Sequence, residues 1–258
     1  LGASVGSNRT HFPAKAKNVI FCFMDGGPSH VDLFDPKPLL SKYQGKAIGK
    51  SAVSEKSQST PDRVWLGSPW EFRQHGQSGL WVSDLFPHLA KVADEICVIR
   101  SMVGKTPLHG QQNLLLHTGL NTGRAPSFGA WVSYGLGSER DNLPNYLLLD
   151  NGLRVPNGGW ENFSNSFLPA SHAPTVLHAK DPVVDNIKPA DLSAVQRRKL
   201  DLIREQSASF ATATADDAIE SVIKNYETAF RLQTMIPELA EVSNESESTR
   251  QMYGLDSL

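Results

Sequence analysis

The sequence predicts an α/β fold: a doubly wound, mainly parallel sheet flanked by helices, with a helical C-terminal segment. Three observations predict it. Short continuous apolar runs of strand length recur through the first 150 residues, helical spacing recurs between them, and the last third has helical periodicity with no strand signal. A sheet of three confident strands followed only by helices is incomplete, so the chain reads as the N-terminal portion of something larger.

The first predicted strand is Asn18 to Met24, a continuous apolar, β-branched and aromatic run closed by Asp25-Gly26-Gly27-Pro28. Such a run is what a strand buried on both faces requires. Ile96 to Met102 is the second and Tyr146 to Leu149 the third, closed by Asp150-Asn151-Gly152. Cys22 and Cys97 fall mid-run, which predicts buried structural thiols. Ser83 is placed to cap a helix over 84–95, with Leu85, Leu89 and Val92 at helical spacing. A short helix is predicted over 110–118, stopped by Gly119. Pro126-Ser127 opens another, with Trp131 and Tyr134 on one face and Gly135 and Gly137 at its end.

Residues 41–80 and 150–190 are rich in Gly, Pro, Ser and Asn and read as long loops, which in a compact domain usually carry or cover a site. Beyond them, Asp191 to Gln206 and Ala215 to Met235 are amphipathic. Ser193 and Gln196 suit a capping box, and Pro237 punctuates the second helix. Ile203, Ile219, Val222, Tyr226 and Phe230 are predicted to pack inward. The predicted organisation is a linker over 1–17, an α/β portion over 18–190 and a helical segment over 191–258. The small, polar, then basic lead-in reads either as the stretch behind a removed export signal or as a ragged domain edge.

Composition narrows the function. Lys plus Arg is 25 against 27 for Asp plus Glu, and the one basic cluster, Arg197-Arg198-Lys199, lies among acids in a predicted helix. No basic stripe is available to grip nucleic acid. No apolar run approaches the ~20 residues of a transmembrane helix, and two cysteines cannot form a disulfide framework.

Chemistry in open α/β sheets gathers at the carboxyl ends of strands. The first run delivers Asp25, Ser29, His30, Asp32 and Asp35 within eleven residues. Carboxylates with an imidazole nearby suit a divalent metal (Zn, Mn, Mg or Ca), with Asp25 as ligand and His30 or Asp32 in support. The competing reading is a strand-to-loop turn in which Asp25 caps backbone amides. The second run is followed by Arg100, Ser101, Lys105, Thr106 and His109. Thr106 or His109 could stand as a nucleophile where the helix dipole favours an anionic group, with Arg100 and Lys105 as cationic donors. In the competing reading Thr106 only caps the helix and His117 packs on its face. His172 and His178 lie in a polar loop and match no closed metal motif.

The stretches HFPAKAKNVIFCFMDGGPSHVDLFDPKP (11–38), FRQHGQSGLWVSDLFPHLAKVADEICVIRSM (72–102) and PSFGAWVSYGLGSERDNLP (126–144) closely resemble domain-of-unknown-function family 1501. Its members are sulfatase-like, typically exported proteins whose fold resembles the alkaline phosphatase superfamily. The resemblance runs through most of 11–258, including Met252-Tyr253-Gly254. It implies that Asp25 is the metal-binding aspartate ending the first strand. Matching His117-Thr118-Gly119 to the Leu-Thr-Gly that closes the nucleophile helix of sulfatases brings His109 to the nucleophile position. The sequence departs there: neither Cys22 nor Cys97 begins a Cys-x-Pro-x-Arg stretch, so formylglycine chemistry is not supported. The implied whole is an exported, metal-dependent hydrolase of sulfate or phosphate esters, with further Asp and His ligands from a C-terminal half. The rival is a non-catalytic envelope or carbohydrate-binding protein that keeps the fold without the nucleophile.

Overall fold

The computed structural model describes residues 16–48, 63–137, 144–150, 152, 154–180, 182–185, 191–214, 217–239 and 244–254. Most of the predicted lead-in, 1–15, lies outside them. The fold is mixed α/β, with seven helices and two small sheets among the described residues. The chain divides into two compact units, one over 15–113 and one beginning at residue 114.

The first unit holds helix α1 (Pro38–Tyr43), an antiparallel hairpin of β1 (Phe72–His75) and β2 (Leu80–Ser83), and the one-turn helix α2 (Pro87–Ala90). The hairpin turn, His75 to Leu80, is closed from outside. The Asp94 carboxylate accepts the backbone N–H groups of Gln77 and Ser78 at 2.9 and 2.8 Å, which holds its carboxyl below the usual value of 3.8. Val82 is buried, and the Ser83 N–H donates to the carbonyl of the buried Leu33 at 2.9 Å. The Phe34 and Phe86 rings pack at a tilt beside this point, with centres 5.5 Å apart.

Several expectations fail in this unit. Residues 18–24 and 96–102 are not strands: neither run is paired among the described residues, and Ile20, Met24, Ile99 and Met102 are exposed. Apolar composition expresses a need for burial, but a strand exists only where a neighbour completes its backbone hydrogen bonds. Cys22 and Cys97 share the fate of their runs and are exposed free thiols, not buried ones. The predicted 84–95 helix is reduced to α2 and a 3₁₀ turn over Ala93–Glu95, because Pro87 fits only the first turn of a helix. Ser83 closes β2 and caps nothing; Leu85, Leu89 and Val92 are exposed.

Helix α3 (His109–Thr118) matches its expected range, and Gly119 stops it in the left-handed region at φ 78° while donating to the Leu115 carbonyl. Helix α4 (Phe128–Leu136) begins as its sequence predicts. The Ser127 hydroxyl accepts the Ala130 N–H and also donates to the Phe163 carbonyl at 3.1 Å, and Gly137 ends the helix. The Tyr146 ring packs where Gly129 lacks a side chain.

In the second unit β3 (Leu147–Asp150), foreseen from 146–149, pairs in parallel with β4 (Thr175–His178), which falls inside a stretch read as loop. Helices α5 (Ser193–Thr214), α6 (Asp217–Leu239) and α7 (Glu247–Tyr253) fill the remainder, and α6 runs through Pro237 instead of ending before it. The expected capping box is absent: Ser193 lies inside α5, and the Gln196 amide donates to Gln233 of α6. Arg197 clamps the two helices by reaching Glu227, and also pairs with Asp201 on its own helix, while Lys199 pairs with Asp191. The predicted inward face is met in part, with Ile203, Ile219 and Phe230 half-buried. Leu200 and Leu232 are buried, with Leu232 against Leu177 and Val184, whereas Val222 and Tyr226 are exposed. No helix among the described residues is long and apolar enough to cross a membrane.

Candidate functional site

Asp25 follows the run 18–24, where Phe21 and Phe23 stack on one side of the chain with ring centres 6.4 Å apart. Two successive left-handed glycines turn the chain after it, Gly26 at φ 86° and Gly27 at φ 69°. A Cβ at either would meet nothing within 4 Å, so the turn, not crowding, demands glycine and the space beside it is open. The side chain of Asp25 is held from α3: the Asn113 amide donates to its Oδ1 at 2.8 Å, across 88 residues of sequence. Asn113 is buried. The turn after the first apolar run therefore touches α3, the helix that follows the second, through an asparagine that the sequence alone does not single out. Its position on α3, four residues beyond His109, was the available signal.

His109 opens α3 and is exposed, as are Arg100 and Lys105. Thr106 supports the helix entry: its hydroxyl accepts the Leu108 N–H at 3.1 Å, and its carbonyl accepts the Gln112 amide at 2.6 Å. Of the remaining predicted residues, Asp32 receives hydrogen bonds from the Ser29 and Ser68 hydroxyls, which hold its carboxyl below the usual carboxylate value. His30 is largely exposed and lies 3.9 Å from Asp35. Asp35 is buried and paired with the Lys37 ammonium at 2.8 Å, which lowers its pKa in turn. Among the described residues, no three His, Cys, Asp or Glu side chains are grouped to hold a metal ion together. The donors near Asp25 therefore do not close a cage by themselves.

His117 behaves as a core residue. It is buried edge-on against Phe163 at 5.1 Å, and burial pushes its pKa down, so the ring is neutral at pH 7. His172 accepts or donates at Ser133 Oγ, 2.9 Å away, and packs edge-on to Tyr134.

A second group was not assembled from the sequence. Asp150 ends β3, His178 ends β4, and the two are register partners. Asp150 Oδ2 lies 3.0 Å from His178 Nδ1, and Asp150 Oδ1 accepts the Gly152 N–H at 2.9 Å. The Gly152 N–H first and the imidazole second hold the Asp150 carboxyl low, while the same pairing raises the pKa of His178. The signal was present in outline, since two short apolar runs each end in a titratable side chain.

The model of the family described as Protein of unknown function (DUF1501) matches residues 16–257. No curated protein and no solved structure matches the chain.

Proposed function

The chain belongs to the DUF1501 family, and from that premise we propose that the Asp25 turn and the start of α3 form the reactive corner of a sulfate- or phosphate-ester hydrolase. One observation carries the reading: Asn113 of α3 orients the carboxylate that ends the first apolar run, beside a turn open on its glycine side. Arg100 and Lys105 belong to the same unit and supply positive charge for an anionic ester. His109 presents an imidazole at the helix start, where it attacks or positions the ester. Asp25 recruits a divalent ion, but the described donors do not close its cage, so no step is routed through it. The wider fold in this reading is a doubly wound, alkaline-phosphatase-like sheet, to which β3 and β4 contribute a parallel pair. Export belongs to the same reading, and an upstream sequence without a charged, then apolar, then small-residue signal would contradict it.

The test is hydrolysis of aryl phosphate and aryl sulfate esters by full-length protein with added Zn, Mn, Mg or Ca. Asp25→Asn should lower the rate by about 100-fold or more, the scale on which a group aimed at transition-state charge acts. Wild-type rate and metal content in that variant would leave Asp25 a turn residue.

A specific observation favours the carbohydrate-binding alternative. Trp131 and Tyr134 on α4 and Phe167 beside them are exposed, with ring centres 6.0–6.1 Å apart along the chain of contacts. Exposed amphipathic rings of this kind suit sugar faces. Polysaccharide binding lost in Trp131→Ala, without ester hydrolysis by the wild type, selects this reading.

A further inference from the structure

The segment that leaves β4 folds back on it and is tied there through one imidazole. His178 ends β4, and its backbone N–H donates to the Val183 carbonyl at 2.7 Å. Its ring stands between two carboxylates. Nδ1 lies 3.0 Å from Asp150 Oδ2 at the end of β3, and Nε2 lies 3.5 Å from Asp185 Oδ2 on the returning segment. Asp150 is fixed in place, since it is the register partner of His178 and its Oδ1 accepts the Gly152 N–H. Asp185 is exposed. The whole arrangement belongs to the second unit and owes nothing to the Asp25 turn.

We propose that His178 is a pH-sensitive latch on this segment: its imidazolium holds Asp185 beside the end of β4, and loss of one proton to solvent releases it. The donor count of the ring forces the choice. An imidazolium has two N–H donors and serves both carboxylates, whereas a neutral ring has one donor and one lone pair. The remaining N–H stays on Nδ1, because Asp150 is the nearer carboxylate and is held by strand register and by the Gly152 N–H. Nε2 then presents a lone pair to the Asp185 carboxylate, and attraction gives way to repulsion.

Among the described residues, the charged groups facing the ring are Asp150 of β3 and Asp185, while Lys180 lines the same open depression of about 260 Å³. On the other side of the segment, α6 brings the neutral Asn225, Thr228 and Gln233 to a groove of about 320 Å³ that Val184 and Asp185 also line. The hydrogen bond to Asp150 first, and the pairing with Asp185 after it, raise the pKa of His178 above its usual 6.5. The tie is therefore complete below pH 6.5 and is lost as pH rises through the raised value. Val184 packs against Leu232 of α6 and does not titrate. Release thus removes the ionic anchor of the segment, leaves the apolar one, and loosens one wall of the groove.

Amide hydrogen exchange in the full-length protein, from mildly acidic to mildly alkaline pH, tests the latch alongside an NMR titration of the His178 ring. Protection of the His178 amide, corrected for intrinsic exchange, should fall by about 2–5-fold as the ring loses its proton, the scale of an exposed ion pair. The Ala179 N–H donates to the Asp150 carbonyl on β3 and should keep its protection throughout. Asp185→Asn should lower the pKa of the ring and hold the His178 amide at the less protected level at every pH. Asp185 is exposed and outside the β3–β4 ladder, so this variant does not depend on a fragile fold. Protection of the His178 amide that ignores pH overturns the proposal, as does a pH step that survives Asp185→Asn. A parallel fall at Ala179 also overturns it, because the β3–β4 pair itself would then be opening.

Discussion

Two carboxylates in this molecule stand at the ends of apolar runs: Asp25 after 18–24, and Asp150 after Leu147–Leu149. Among the described residues only the second run is paired, against β4 in parallel register. Asp150 consequently faces its partner His178 by strand register alone, and the chain after it adds a backbone N–H. Asp25 has no strand neighbour among the described residues and takes its orientation from a helix, through Asn113. A paired strand positions chemistry by the register of its ladder, whereas the Asp25 turn draws on a side chain reaching in from a helix.

The largest effect should come from removing what holds the paired ends in place. Leu232 is buried against Leu177 of β4 and Val184. Leu232→Ala should cost about 2–5 kcal/mol by denaturant titration, and the His178 side-chain resonances should shift with it. A loss near zero would mean that the β3–β4 pair stands without α6.

A smaller effect is expected at the α4 cap, which sharpens the contrast between local and distant support. Ser127→Ala removes both the bond to the Ala130 N–H and the bond to the Phe163 carbonyl. The expected cost is about 1 kcal/mol, visible as a modest fall in Tm. Unchanged stability would show that the backbone bond from Ser127 to Ser164 suffices.

The smallest concerns the hairpin in the same unit as Asp25. Its turn is held by the Asp94 carboxylate, whose folded pKa is lowered by two backbone N–H bonds. The resulting stabilisation is present above the unfolded value of 3.8 and disappears as pH falls through the lowered folded value. Wild type should therefore exceed Asp94→Asn in Tm at neutral pH, with the gap closing toward strongly acidic pH. A gap independent of pH would assign the turn's stability to something other than this charge.

The same contrast explains what the sequence made legible. Helices α3 and α4 were read correctly because their signals are local: Ser127 caps, and Gly119 and Gly137 stop. The strand β3 was read from its apolar run, but its partner β4 was hidden, because pairing links residues 28 apart and TVLH is too short to stand out. The runs 18–24 and 96–102 show the converse error, where composition was read as pairing. The hairpin β1–β2 carried a usable signal in Gly76 and Gly79 between alternating residues. At the candidate site, Asp25 was legible because a carboxylate and two glycines after an apolar run are poorly explained by packing. Asn113 was not, since its amide acts across 88 residues. His178 stands in a polar stretch of sequence 28 residues from Asp150, the carboxylate it meets.

The central claim is that the Asp25 turn and α3 act as one site. A double-mutant cycle of Asp25→Asn and Asn113→Ala, read by ester hydrolysis in the full-length protein, tests it most directly. The account predicts that Asn113→Ala slows hydrolysis in the wild-type background and adds no further loss once Asp25 is asparagine, because its amide then has no carboxylate to orient. Two losses that simply multiply would contradict it, showing that the carboxylate and the helix act independently.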